Sequence, residues 1–284
     1  MKVIKVHSLD KVYNTKKTTI SIGIFDAMHK GHQKVLSKLL KEDKRAVITF
    51  DCPVKKKIIN DSKDRIDTLS DIKIDTVFVL EQKSIKGKTY KEFNKFLQNN
   101  NFSKAIIGSD FKYGKDQKGD INTLKEAIDV DVIDLIQESG KKVSTQDIYE
   151  DIEEAKLDNY FNKTGRNYQI SGIVTKGKQI GKTIEFPTAN LIVETTLPNG
   201  VYKTQTIHNK KRYNSITNIG IKPTVGNDNV RSIETNIFSF NKEIYDEVIK
   251  VEFLKKIRDE RKFNNLIELK SQIEKDKKEV NNDN

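Results

Sequence analysis

Thr18-Thr-Ile-Ser-Ile-Gly-Ile-Phe25, followed at once by Asp26-Ala-Met-His29-Lys-Gly31-His32, decides how the first half of the chain folds. Ile20, Ile22 and Ile24 fall on one face at period two, which marks a strand. From Gly31 to about Lys41 the period lengthens, and Val35, Leu36, Leu39 and Leu40 form the buried stripe of a helix. The alternation continues downstream. Strands are expected at 46–50, 76–80, 104–108 and 130–136, with helices around Tyr90, Phe93, Phe96 and Leu97 and at 121–129. This predicts an α/β domain with a parallel sheet and helices on both faces, whose ligands lie beyond the carboxyl ends of the strands.

Two of the four histidines, His29 and His32, stand three apart where the first helix begins. That spacing puts both imidazoles at a helix N-terminus, where phosphate is attracted and N–H donors offset developing negative charge. A metal site is the rival reading, but no third His or Cys is near. A capping or packing pair is the other.

From Tyr168 the rhythm changes. Short β-type runs at 168–174, 186–193, 201–208, 213–219, 232–240 and 248–253 are separated by turn signals such as Pro198-Asn199-Gly200. Such a run of strands without helices predicts a small antiparallel β-barrel. Leu266, Leu269 and Ile273 mark a terminal helix, and 275–284 reads as a polar, frayed tail. An acidic helix at 148–158 is expected to join the halves, with domains at 1–158 and 159–284. Within the second half, Gly177, Gly181 and Lys182 belong to a glycine-spaced loop suited to a polyphosphate, with a plain hairpin as the alternative. Just beyond it, Thr188 and Asn190 are two apart, so in extended chain their neutral oxygens share a face and suit Mg²⁺ carrying phosphate oxygens.

The chain has 284 residues, and its net charge of +11 comes from scattered lysines mixed with 41 acidic residues. Anionic small-molecule ligands explain this better than a nucleic-acid surface, because there is no arginine-rich arm. No apolar run spans a bilayer, no apolar leader opens the chain, and the single Cys52 cannot pair internally, so a cytoplasmic location is expected.

Gly165-Arg-Asn-Tyr168, the glycine loop, Phe186-Pro-Thr-Ala-Asn-Leu191, Gly200-Val-Tyr202, Asn218-Ile-Gly-Ile-Lys-Pro-Thr224, Ile233-Glu234-Thr235 and Val251-Glu-Phe-Leu-Lys-Lys-Ile-Arg258-Asp259-Glu260 together resemble the riboflavin kinase domain. The resemblance implies that Thr188 and Asn190 hold the metal–ATP complex, that Glu234 is catalytic, and that Arg258 and Asp259 lie near the flavin. A surface ion pair of Arg258 with Asp259 or Glu260 is the plainer reading. The His-x-Gly-His spacing resembles the Rossmann-like nucleotidylyltransferases. Gly108-Ser-Asp110-Phe-Lys-Tyr-Gly114, with Gly119-Asp120 and Leu124, is similar to prokaryotic FAD synthetases. This implies that His29 and His32 are catalytic and that Gly23, Phe25, Asp26, Gly31, Gly108, Asp110, Ser144 and Thr145 contact ATP.

The whole chain thus resembles the bifunctional enzymes that phosphorylate riboflavin to FMN and adenylylate FMN to FAD, with riboflavin, FMN and ATP as substrates and Mg²⁺ as the metal. Several places depart from the family pattern: in the first half Ala27 stands for a glycine, Cys52-Pro53-Val54 lacks a histidine and Tyr149 stands for an arginine, and in the second half Glu185 and Asp246 stand for glycines. Two other readings remain. One is a kinase with a scaffold-like first domain. The other is a non-catalytic regulator binding flavin or RNA, against which intact Thr188, Asn190 and Glu234 count, since a pure binder needs no base.

Overall fold

The computed structural model describes residues 1–51, 59, 62–134, 137–138, 141–176, 186–223 and 229–282. The chain divides into two compact units, Met1–Tyr149 and Glu150–Asn284.

The first unit is built on β1 (Lys2–Val6), β2 (Thr18–Ile22), β3 (Arg45–Phe50), β4 (Thr76–Leu80), β5 (Phe102–Gly108) and β6 (Asp129–Ile133). They form one sheet in the order β1-β4-β3-β2-β5-β6, and every pairing is parallel. Helices α1 (Lys30–Leu39), α2 (Ser62–Asp71), α3 (Gln82–Ile85), α4 (Tyr90–Asn99) and α5 (Ile121–Lys125) link the strands. The sheet has apolar side chains on both faces, as buried parallel strands require. Ile20, Ile22, Phe78 and Phe96 belong to one core cluster, whereas Leu36, Val47, Leu69 and Val77 belong to another. Strand order reverses at β2, which has β3 on one side and β5 on the other. That reversal opens a crevice at the carboxyl ends of β2 and β5. A short antiparallel pair, β7 (Gln137–Glu138) and β8 (Lys141–Lys142), precedes α6 (Thr145–Glu153).

The expected single helix at 148–158 is two helices, α6 and α7 (Leu157–Thr164). Ala155 takes φ 53 between them, a left-handed conformation that no helix continues through. Gly165 ends α7 at φ 71, where an L side chain would be strained. The second unit then forms the closed barrel β10-β13-β12-β11-β14-β9, antiparallel throughout. Its strands are β9 (Tyr168–Thr175), β10 (Ala189–Ile192), β11 (Gly200–His208), β12 (Lys211–Pro223), β13 (Asn229–Ile237) and β14 (Val248–Arg258). Tyr202, Ile233, Val251 and Phe253 fill the interior beside a chain of hydroxyls. Thr206, Ser215, Thr204, Thr217 and Thr235 are linked in that order at 2.8–2.9 Å, so no buried hydroxyl in it lacks a partner.

The last helix, α8 (Leu266–Asn282), corrects the expectation of a frayed tail over 275–282; residues 283–284 lie outside the described residues. Asp276 is 3% and Val280 1% exposed, and Val280 packs with Val201 and Ile216. Leu269, Ile273, Asp276 and Val280 follow helical spacing, so the buried face runs on beneath the charged residues. Among the described residues no helix is long and apolar enough to cross a membrane.

Candidate functional site

At the crevice of the first unit the chain turns sharply after β2. Phe25, Ala27 and Met28 take φ 55, 57 and 44, so three non-glycine residues hold left-handed conformations in one loop. Ala27, where the family pattern has glycine, is one of them. Asp26 is buried and pins this loop: its Oδ2 accepts from the Ile59 N–H at 2.9 Å, and its Oδ1 accepts from the Ala27 N–H at 3.0 Å.

His29 caps α1, its Nδ1 accepting from the His32 N–H at 3.3 Å. An accepting Nδ1 leaves the proton of the neutral ring on Nε2. The His29 and His32 rings stack, with centroids 3.7 Å apart, and Phe25 lies 5.2 Å from His32. Gly31 permits this, since a Cβ there would sit 3.0 Å from the His29 ring.

These residues line a cleft of about 290 Å³ with Gly23, Gly108, Asp110, Ser144 and Thr145. Every first-half site residue expected from sequence is therefore brought to one place. The sequence reading missed Ser21, Phe111, Asp134 and Gln146, which share the lining. Ser144 caps α6: its hydroxyl donates to Asp147 Oδ2 at 2.6 Å, and its N–H donates to the same oxygen at 3.1 Å. The N-termini of α1 and α6 thus both reach this cleft, and each adds partial positive charge. Tyr149 is buried within α6 and is not among the lining residues. Cys52, Pro53 and Val54 lie outside the described residues.

In the barrel, three polar residues stand in a row across adjacent strands. Asn190 of β10 pairs with Glu234 of β13, which pairs with Asn218 of β12. Directly paired residues project to the same side of a sheet. Ile233 and Thr235 are buried on the inner side, so Glu234 points outward, as its alternation predicts. Thr188 Oγ1 donates to Glu234 Oε2 at 3.3 Å. Asn236 Nδ2 donates to the Pro187 carbonyl at 2.7 Å and holds the segment that carries Thr188 into β10.

Two clefts adjoin Thr188. One, of about 290 Å³, has Glu234, Asn218, Asn236 and Arg258 on its polar side, and Phe186, Phe263, Leu269 and Ile273 on its apolar side. The other, of about 350 Å³, has Asn190, Thr235, Phe240 and Tyr245.

Arg258 pairs with Asp276 of α8, so neither Asp259 nor Glu260 is its carboxylate partner; Asp259 supplies only a backbone carbonyl. The Asp259 side chain is 86% exposed, ion-paired at 2.5 Å with Lys256, and absent from the cleft lining. The hydrogen bond from Lys256 holds its carboxyl below the usual range. Asn218, Asn236 and Asp276 were missed from sequence. Gly177, Gly181 and Lys182 lie outside the described residues.

Comparison with known proteins matches both halves. The riboflavin kinase family model covers residues 164–283, and the FAD synthetase model covers 11–147. A bifunctional riboflavin kinase/FMN adenylyltransferase of Bacillus subtilis is 34% identical over 93% of this chain and 92% of its own. A protein of the same description from Buchnera aphidicola is 33% identical over 97% and 96%. A solved Streptococcus pneumoniae chain, described as a macrolide-efflux protein, is 24% identical, covers 99% of both chains and has a TM-score of 0.87, which bears on the fold alone. The chain belongs to the family of bifunctional riboflavin kinase/FMN adenylyltransferases and is an enzyme of flavin-cofactor synthesis.

Proposed function

We propose that each unit carries one of the two reactions, phosphorylation of riboflavin in the barrel and adenylylation of FMN in the first unit. The observation that carries the kinase assignment is Thr188 joined to Glu234 at 3.3 Å where two clefts meet. The cleft with Asn190 and Tyr245 takes ATP, and the cleft with Glu234 and the apolar wall takes riboflavin. Glu234 accepts the proton of the ribityl hydroxyl as that hydroxyl's oxygen attacks the γ-phosphorus; the bond to the β,γ-bridging oxygen breaks and ADP leaves.

The donors at this corner fit a hard cation. Thr188 and Asn190 offer neutral oxygens on one cleft, and among the described residues no cluster of three His, Cys, Asp or Glu exists to hold a bare metal. Thr188 and Asn190 would hold Mg²⁺ that arrives with ATP, and that ion would offset charge on the phosphates. In the first unit, FMN phosphate attacks the α-phosphorus of a second ATP and pyrophosphate leaves. His29 Nε2–H, His32 and the starts of α1 and α6 stabilise the charge that develops. A cytoplasmic setting belongs to the same reading.

Thr188→Ala and Asn190→Ala test the assignment. Each is expected to raise the KM for Mg–ATP in FMN formation by about tenfold, the loss of one charge-assisted contact. FAD formation from supplied FMN is expected to stay at the parent rate. Equal effects of either change on both reactions, or none on FMN formation, would remove the metal corner from the kinase.

A further inference from the structure

We infer that Asp276 of α8 is the positioning residue that holds Arg258 for the phosphoryl group transferred in the Glu234 cleft. This rests on the assignment of that cleft to riboflavin phosphorylation. Asp276 is 3% exposed and borders the cleft together with Arg258. Its carboxylate occupies one edge of the guanidinium: Nε donates to Oδ1 and Oδ2 at 3.2 and 3.1 Å, and Nη2 donates to Oδ2 at 2.8 Å. Nη1 donates to the Asp259 carbonyl at 3.1 Å.

A guanidinium has five N–H groups in a rigid plane. One N–H on each of Nη1 and Nη2 therefore remains beyond these contacts, for oxygens that enter the cleft. An arginine fixed along one edge presents its remaining donors without further loss of side-chain entropy. Such donors suit the charge that spreads over phosphoryl oxygens in transfer.

Asp276 is itself held. Gln272 Nε2 donates to its Oδ1 at 2.6 Å, and Arg261 donates to Gln272 Oε1 at 2.7 Å. The neighbouring Lys277 ammonium lies 5.2 Å from the Phe238 ring and 5.9 Å from the Phe186 ring. Phe186 begins the segment that bears Thr188. One helix therefore registers the arginine and the strand of the metal corner together.

The test is a double-mutant cycle on the full chain, with Asp276→Asn, Arg258→Lys and the double variant. Riboflavin binding, followed by quenching of its fluorescence, reports that the cleft persists. Asp276→Asn is expected to lower kcat for FMN formation on the order of 10²-fold, with the riboflavin KM little changed. The double variant is expected to be no slower than the slower single variant, since each change removes the same donor geometry. Losses that multiply, or a raised KM with kcat kept, would overturn the inference.

If Asp276→Asn fails to bind riboflavin through misfolding, Asp276→Glu carries the test. It keeps the carboxylate but moves it, and is expected to cost about tenfold in kcat. A parent-like kcat in that variant would also overturn the inference. Glu234→Gln run in parallel separates the two failures. Normal FMN formation there removes the cleft's assignment, whereas an inactive Glu234→Gln beside normal Asp276 variants removes only the role of Asp276.

Discussion

Glu234→Gln is expected to lower FMN formation from riboflavin by about 10²–10⁴-fold, the usual cost of losing a general base. The substitution keeps the size of the side chain and its ability to accept from Thr188 Oγ1, now 3.3 Å from the carboxylate. Glu234 sits on the outer side of β13 between Ile233 and Thr235, whose packing inside the barrel is untouched. The melting temperature of the barrel is therefore expected to stay within a degree or so, since surface changes away from core contacts have small effects. FAD formation from supplied FMN should be unaltered. The measurement is chromatographic separation of riboflavin, FMN and FAD after incubation with ATP and Mg²⁺. FMN production near the parent rate would exclude Glu234 as the base.

His29→Ala is expected to reduce FAD formation from FMN by about 10²–10³-fold, the typical cost of one preorganised donor at developing charge. FMN formation from riboflavin should continue, so the variant would accumulate FMN. Besides the ring's stacking on His32, two roles are lost at once. The Nε2 donor disappears from the cleft, and α1 loses the acceptor for the His32 N–H. The second loss alone costs about 0.5–2 kcal/mol of stability. His29→Asn separates them, because it restores a capping oxygen without an imidazole. Recovery of the melting temperature without recovery of FAD formation assigns the catalytic loss to the ring. Full recovery of FAD formation in His29→Asn would leave His29 as a cap only.

What could be read before the fold was known follows from physical range. The strand–helix join at 18–41 was legible because side-chain period is local, and the outward face of Glu234 follows from the same rule. β1 escaped notice because Lys2–Val6 is a short edge strand with two lysines and mostly exposed side chains. The break near Ala155 has neither glycine nor proline to announce it. Asn218 and Asn236 became meaningful only through cross-strand register, which pairs residues far apart in sequence. Asp276 was hidden among charges, although Leu269, Ile273 and Val280 share its helical face.

Because two compact units with separate cores occupy one polypeptide, every molecule made brings one centre of each kind. Transcription or turnover of this chain cannot change the ratio of the two catalysts it carries. The balance between the mono- and dinucleotide forms of the vitamin must then be set by the relative speed and saturation of the two centres, and by supply of the nucleotide triphosphate they share.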